Sequence, residues 1–227
     1  MIELCHQVIP SRSAYTAIQP KLCQLPKEHV GIHREFHYLD HLQQIKKSVA
    51  EKIKRDATMT TGAAWKSEQA GPNRILRWVM LLSDDDLTRH NIRMDKLKPQ
   101  VISKLREKAA TYDDCMDVAK KLTWLVYQME GAPEPSHDIM EYLESNFGKM
   151  ASSYTSCIVC KENLAFSLFD KAQRGKAEIE TGHINPREHN AENVGFAHRE
   201  CNIAQGNKTL PEFYAWIRTI IKRADAS

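Results

Sequence analysis

Two short cysteine and histidine pairs in the last third of the chain constrain its fold more than any other feature. Cys157-x-x-Cys160 and His198-x-x-Cys201 share one spacing and lie about forty residues apart. That spacing lets two side chains grip one ion, and zinc closes its structural sites with four such ligands in a tetrahedron. A lone CxxC is weak evidence. Two pairs on either side of hairpin-like sequence are specific, so Cys157, Cys160, His198 and Cys201 are expected to hold a structural Zn²⁺. The remaining cysteines, Cys5, Cys23 and Cys115, show no such pairing. The N-terminus, MIELCHQVIPSR, lacks a basic stretch followed by an apolar core, so no secretory signal is expected. A cytoplasmic location follows, and there thiols bind metal more readily than they form disulfides.

The chain has 227 residues, enough for one large domain or two small ones, and its 42% hydrophobic content can fill a core. Its longest apolar run, Ile75–Leu82, is interrupted by Arg77 and is far short of the roughly 18 residues of a membrane span. With 32 basic and 29 acidic side chains, the net charge of +3 neither requires nor excludes nucleic acid. A basic surface must come from placement.

The first 34 residues are punctuated by Pro10, Pro20 and Pro26 and read as irregular. Apolar residues then recur every three or four positions from Phe36 to Ile53, predicting a helix over about 36–55. Pro72 fits the first turn of a helix over Asn73–Ser83. Further helices are expected at 84–90, 95–111, 112–129 and 137–147, with GAPEPS (131–136) as the clearest linker. After about Lys149 the pattern changes. Leu164–Phe169 and Ala177–Ile184 read as strands of a hairpin turning through DKAQRGK, and a last helix spans about 211–222. The expected fold is mainly α with a small C-terminal α+β domain: a helical domain over 1–148 and a zinc-stabilised domain over 149–227.

Between the zinc pairs lies a second signal: Gly182-His183-Ile184-Asn185-Pro186, then Asn193-Val194, then Cys201-Asn202 and Gly206-Asn207-Lys208. Together with the cysteine pairs it resembles the HNH (ββα-metal) endonuclease family in its zinc-knuckle variant. The resemblance covers roughly Cys157 to the end and says nothing about residues 1–150. It implies a ββα domain that hydrolyses DNA phosphodiesters with a divalent cation, Mg²⁺ or Mn²⁺. His183 matches the general base, a role that suits imidazole because it titrates near neutrality. Asn193 matches the asparagine that holds the loop. Asn202 matches a ligand of the catalytic cation. His198 also fits the third motif position, but the HxxC spacing assigns it to zinc and leaves Asn202 for the cation. The sequence departs from the family at Gly182, where many members carry an Asp or His ligand. Glu180, two residues back on the same strand face, is the expected replacement, with Asp170 as a weaker candidate.

A restriction or other prokaryotic defence nuclease is the favoured role, with a mobile-element endonuclease next. A non-catalytic zinc module that binds nucleic acid or protein is the alternative. RNA stays open as a substrate, because the motif reads phosphate and not the 2′ position. Residues 1–148 are expected to position DNA through the basic faces of the helices at 36–55 and 95–111, or to dock a partner; a homodimer would let both strands be cut. His33, His37 and His41 share one helical face, and Cys5, His6 and Cys23 sit in the irregular N-terminus. For the histidines a polar helix face or local hydrogen bonds are the plainer reading than a metal, and a second zinc at Cys5, His6 and Cys23 is not the expected reading either. His189 and Asn190 read as exposed loop. Trp65 and Trp78 offer stacking surfaces, with core packing the simpler fate for Trp78.

Overall fold

Short antiparallel pairs hold the N-terminal end, where apolar residues are too sparse to make a core. In the computed structural model, which describes residues 3–11, 16, 18–61, 74–92, 94, 97, 99–173 and 175–226, β1 (Val8–Ile9) pairs with β2 (Lys21–Leu22). Trp65, Pro72, Asp95, Lys96 and Lys98 lie outside the described residues.

The helix expected over 36–55 forms in three pieces. A 3₁₀ turn (His37–Leu39) leads into α1 (Asp40–Ile45), and α2 (Lys47–Thr58) follows. The break falls at Lys46, whose extended backbone (φ −145°, ψ 75°) redirects the chain. The helix expected at 73–83 does not form. Instead β3 (Met59–Thr61) pairs with β4 (Arg74–Leu76), and a 3₁₀ segment (Arg77–Leu81) follows. Tertiary context overrides the local pattern here. Arg77 is buried because its guanidinium donates to the Asp56 carbonyl (3.1 Å) and the Lys108 carbonyl (3.0 Å).

α3 (Asp84–Arg89) starts where Ser83 accepts a hydrogen bond from the Asp86 amide. α4 (Pro99–Arg106) is shorter than the periodicity predicts. α5 (Tyr112–Val126) begins with a capping box, Thr111 and Asp114 each bonding the other's backbone N–H. α6 (His137–Phe147) ends at Gly148.

In the last third, Leu164–Phe169 is not a strand. Its end is a 3₁₀ turn (Phe166–Phe169), and the Phe166 amide donates to the Glu130 carbonyl. A small pair, β5 (Ala172–Gln173) and β6 (Lys176–Ala177), uses the expected turn. The main hairpin joins β7 (Ile179–His183) to β8 (Val194–His198), in a register that sets Gly182 opposite Gly195 and His183 opposite Val194. The partner strand is therefore VGFAH, which is too short and too glycine-rich to stand out by periodicity. α7 (Arg199–Gln205) follows at once and completes β–β–α order, and α8 (Leu210–Ala224) ends the chain behind its own capping box, Thr209 and Glu212.

One core runs across residue 148. It contains Leu42 and Ile53 from α1 and α2, Leu122 from α5, and Leu164 and Phe196 from the last third, each 0–1% exposed. α5 is thus a backbone for both α2 and β8. A second, smaller core gathers Ile75, Val79, Leu87 and Leu105. Trp78 packs edge-on against Tyr112, as core packing predicts.

Candidate active site

The expected zinc ligands come together. Cys157 and Cys160 lie on the loop before the 3₁₀ turn, His198 ends β8 and Cys201 sits in α7. All four ligand atoms lie within 4.8 Å of one another. Cys160 Sγ is 3.4 Å from His198 Nδ1. This donor set fits zinc: the spacing matches the edge of a zinc tetrahedron, about 3.5 Å from sulfur to nitrogen. Burial pushes Cys157 up, but the backbone N–H groups of Cys160, His198 and Val159 outweigh it and lower the thiol overall. Burial, then the nearby Cys157 charge, pushes Cys201 up to about 12. Only a bound cation lets three thiolates share such a space. Two Cys/His clusters among the described residues fit zinc in this way, this one and a second near the N-terminus.

The Cys157–Cys160 loop, the knuckle, also packs against the hairpin. Ile158, between its two cysteines, presses onto the β7–β8 hairpin, where its amide donates to the Phe196 carbonyl (2.9 Å). A Cβ on Gly182 would lie 2.8 Å from Ile158 Cδ1, and one on Gly195 only 2.3 Å from Ile158 Cγ2. Those distances are shorter than real contacts, so the facing glycines form a notch for the isoleucine. Gly182 thus has a packing reason: the space above it is filled by Ile158.

His183 is half-buried and points with Thr181 toward α2. Its Nε2 is 3.0 Å from His189 Nδ1, and His189 Nε2 is 2.8 Å from the Ala57 carbonyl. A carbonyl only accepts, so His189 donates from Nε2 and accepts at Nδ1. His183 must then donate from Nε2, which leaves Nδ1 as its free lone pair. Burial, followed by the charges of Arg77 and Lys108, lowers His183 to about 4. Burial likewise lowers His189 to about 2. Both rings are neutral at pH 7, as this chain of bonds requires. His189 is 5% exposed, so the exposed-loop reading is corrected: it is wedged between β7 and the end of α2.

Asn193 is buried. Its Oδ1 accepts from the Asn185 amide (2.8 Å), and its Nδ2 donates to the carbonyls of Asn185 (2.8 Å) and Glu188 (2.7 Å). It thereby fixes the loop that leaves His183. Gln205, from α7, donates to the His183 carbonyl (2.8 Å) and the Lys208 carbonyl (3.0 Å). Asn202 Nδ2 donates to Glu180 Oε2 (3.1 Å), and Arg199 Nε lies 3.6 Å from Glu180 Oε1. Asp170 is tied to Lys46 and does not line the cleft.

These groups open on a cleft of about 710 Å³. Its far wall comes from the helical part of the chain: Lys52, Arg55 and Asp56 of α2, with Lys104 and Lys108 in and just after α4. The two basic helix faces noted in the sequence therefore converge on one place. Asp56 is the carboxylate that sequence reasoning missed. It accepts from Thr181 Oγ1 (3.1 Å) and is braced by Lys52 (2.7 Å) and Arg55 (3.0 Å). It lies 127 residues from His183, and no local pattern links the two. His189 and Gln205 were missed for the same reason, since each acts through a backbone carbonyl, which has no sequence signature.

The cleft offers a neutral imidazole with its Nδ1 free, oxygen donors from Glu180, Asn202 and Asp56, and more basic than acidic side chains. Those parts suit the binding and hydrolysis of a phosphodiester. The comparisons agree in kind. The DraIII family model matches residues 35–201, well over half of the chain. A solved protein described as a type II restriction endonuclease is 45% identical and aligns over 100% of both chains with a TM-score of 0.88. No curated protein matches the chain. The chain belongs to the DraIII family of restriction endonucleases.

Proposed function

We propose that this protein is a restriction endonuclease of the ββα-metal (HNH) type that hydrolyses DNA phosphodiesters, with His183 as the general base. The observation that carries the reading is the orientation of His183. The relay through His189 to the Ala57 carbonyl leaves Nδ1 unprotonated, and His183 lines the same cleft as Lys52, Arg55, Lys104 and Lys108. The type II activity named for the 45% identical relative is the second support.

His183 Nδ1 takes a proton from water, and the water oxygen attacks phosphorus. The P–O3′ bond breaks, leaving a 5′ phosphate and a 3′ hydroxyl that takes up a proton from solvent. The oxygen donors of Glu180 and Asn202, with Asp56 across the cleft, fit Mg²⁺ or Mn²⁺. A cation held there supplies charge stabilisation at the phosphate and the leaving oxygen. Lys52, Arg55, Lys104 and Lys108 hold the DNA backbone, which fixes register without reading sequence. In this scheme residues 1–148 position the DNA and residues 149–227 carry the chemistry. Zn²⁺ holds the knuckle that shapes β7. A homodimer would bring a second such site to the other strand.

The non-catalytic alternative rests on the missing ligand at Gly182 and on the modest net charge of +3; the Ile158 notch accounts for Gly182 by packing. The test is cleavage of plasmid DNA with Mg²⁺ or Mn²⁺ by the wild type beside His183→Ala, with zinc content measured in both. Cleavage by the wild type alone, at equal zinc, is the expected result. Equal cleavage by both proteins would remove His183 from the mechanism.

A further inference from the structure

We infer that Cys5, Cys23, His29 and His33 form a second structural zinc site, which fastens the N-terminal segment that carries them to the body of the protein. Their four ligand atoms lie within 4.8 Å of one another. Cys5 Sγ is 3.5 Å from His33 Nδ1, Cys23 Sγ is 3.4 Å from His29 Nε2, and His29 Nε2 is 3.1 Å from His33 Nδ1. Zinc with bonds of about 2.3 Å to sulfur and 2.0–2.1 Å to nitrogen has tetrahedral edges of about 3.5 Å (S–N) and 3.3 Å (N–N). The observed edges match within about 0.2 Å, the tolerance for such sites. The Cys160–His198 edge in the C-terminal knuckle, 3.4 Å, is the same.

The backbone is arranged to deliver these ligands. The Cys5 amide donates to the Leu25 carbonyl, the His6 amide to the Cys23 carbonyl and the Cys23 amide to the Gln7 carbonyl, so the two cysteines sit on facing extended segments. Gly31, at φ 106°, turns the chain between the two histidines, a conformation that side-chain-bearing residues rarely adopt. The grouping differs from the sequence expectation. His6, His37 and His41 take no part, and His29, which no pattern singled out, completes the set.

The segment needs such a staple. Among the described residues from 3 to 34, only Cys23 and Gln24 are buried, while Val8, Val30 and Ile32 are 59%, 101% and 79% exposed. Leu4, Ile18 and Leu22 pack only partly buried against the cores, so hydrophobic burial contributes little here, and small units without a core use metals or disulfides. Cys5 and Cys23 are both free thiols. The ordered segment in turn meets α5, whose Tyr112 hydroxyl accepts from the Leu22 amide (3.0 Å) and donates to Glu35 (2.7 Å). The family match begins at residue 35 and does not include this cluster.

Zinc counted by native mass spectrometry on the full chain tests the site. Two ions per chain are expected for the wild type, one for Cys23→Ser and His29→Ala, and two again for His29→Cys, which keeps a zinc-binding side chain. Should the single variants fail to fold, alkylation mapping of the wild type decides: Cys5 and Cys23 are to resist iodoacetamide until a chelator is added. The inference is overturned by one zinc in the wild type, by two zincs retained in Cys23→Ser, or by a Cys5–Cys23 disulfide in the purified protein. None of these readouts depends on cleavage, so the site stands or falls apart from the nuclease reading.

Discussion

His189 decides which nitrogen of His183 is free, so its loss is felt in chemistry more than in binding. His189→Phe keeps the volume but removes both bonds of the relay. In steady-state cleavage, kcat is expected to fall roughly 10- to 100-fold with little change in KM, the usual effect of losing a partner that orients a reactive group. Because His183 is lowered to about 4, it is already in the basic form throughout the neutral range. Single-turnover cleavage should be flat from pH 6 to 8 on the base limb and fall only as pH approaches 4. In the variant the lone pair is no longer held, and the profile should change shape as well as height. A KM effect without a kcat effect would argue against this role.

The fit between the zinc knuckle and the β7–β8 hairpin is a property of elements. Ile158 occupies the space above Gly182 and Gly195; a Cβ at Gly195 would meet its Cγ2 at 2.3 Å, while one at Gly182 would meet the side chain's tip, Cδ1, at 2.8 Å. Gly195→Ala should destabilise the fold by about 1–3 kcal/mol, the range for overpacking a filled site, read as a lower urea midpoint. Gly182→Asp, which restores the residue type common in HNH proteins, is expected to destabilise the fold rather than raise activity. A more active Gly182→Asp would show that the notch is less strict than its distances imply. Arg77 plays a similar joining role between α2 and the end of α4 through its two carbonyl acceptors. Arg77→Met should cost about 1–3 kcal/mol, because it leaves buried carbonyls without their donor. The loss should appear in Tm before it appears in zinc content.

At the scale of the whole molecule, the cleft sets the salt and acid responses. Lys104 and Lys108 line it opposite the hairpin. If each neutralises one phosphate, removing either lowers the slope of log Kd against log salt by about 1, with a similar loss on specific and nonspecific DNA. Acid acts through the buried histidines. His183 and His189 are lowered from 6.5 to about 4 and about 2 by burial. Below pH 6.5 the unfolded chain binds more protons than the folded one, so their stabilising contribution, complete above that pH, is lost as pH falls toward 4 and beyond. The urea midpoint should therefore be lower at pH 5 than at pH 7.5, and His189→Phe should reduce the difference.

Much of this protein was legible from local chemistry. The CxxC and HxxC pairs name the C-terminal cluster that fits zinc, because metal geometry demands close spacing along the chain. The caps at Ser83, Thr111 and Thr209 belong to helices that periodicity located, since a cap and its helix are a few residues apart. What local pattern could not supply depends on distant segments meeting. The strand paired with β7 was hidden because VGFAH carries its meaning in register, not in alternation. The helix read at 73–83 gave way to a strand and a 3₁₀ segment, as burial of Arg77 against two remote carbonyls outweighed propensity. Asp56, His189 and the Cys5–His33 cluster are likewise defined by contacts that cross the chain. Sequence alone determined which side chains carry metal-ligating and acid–base chemistry. Only the tertiary structure decided which lone pair of His183 is free, which carboxylates line the cleft and why a glycine stands at position 182, because each depends on packing between segments that are neighbours only once the chain has folded.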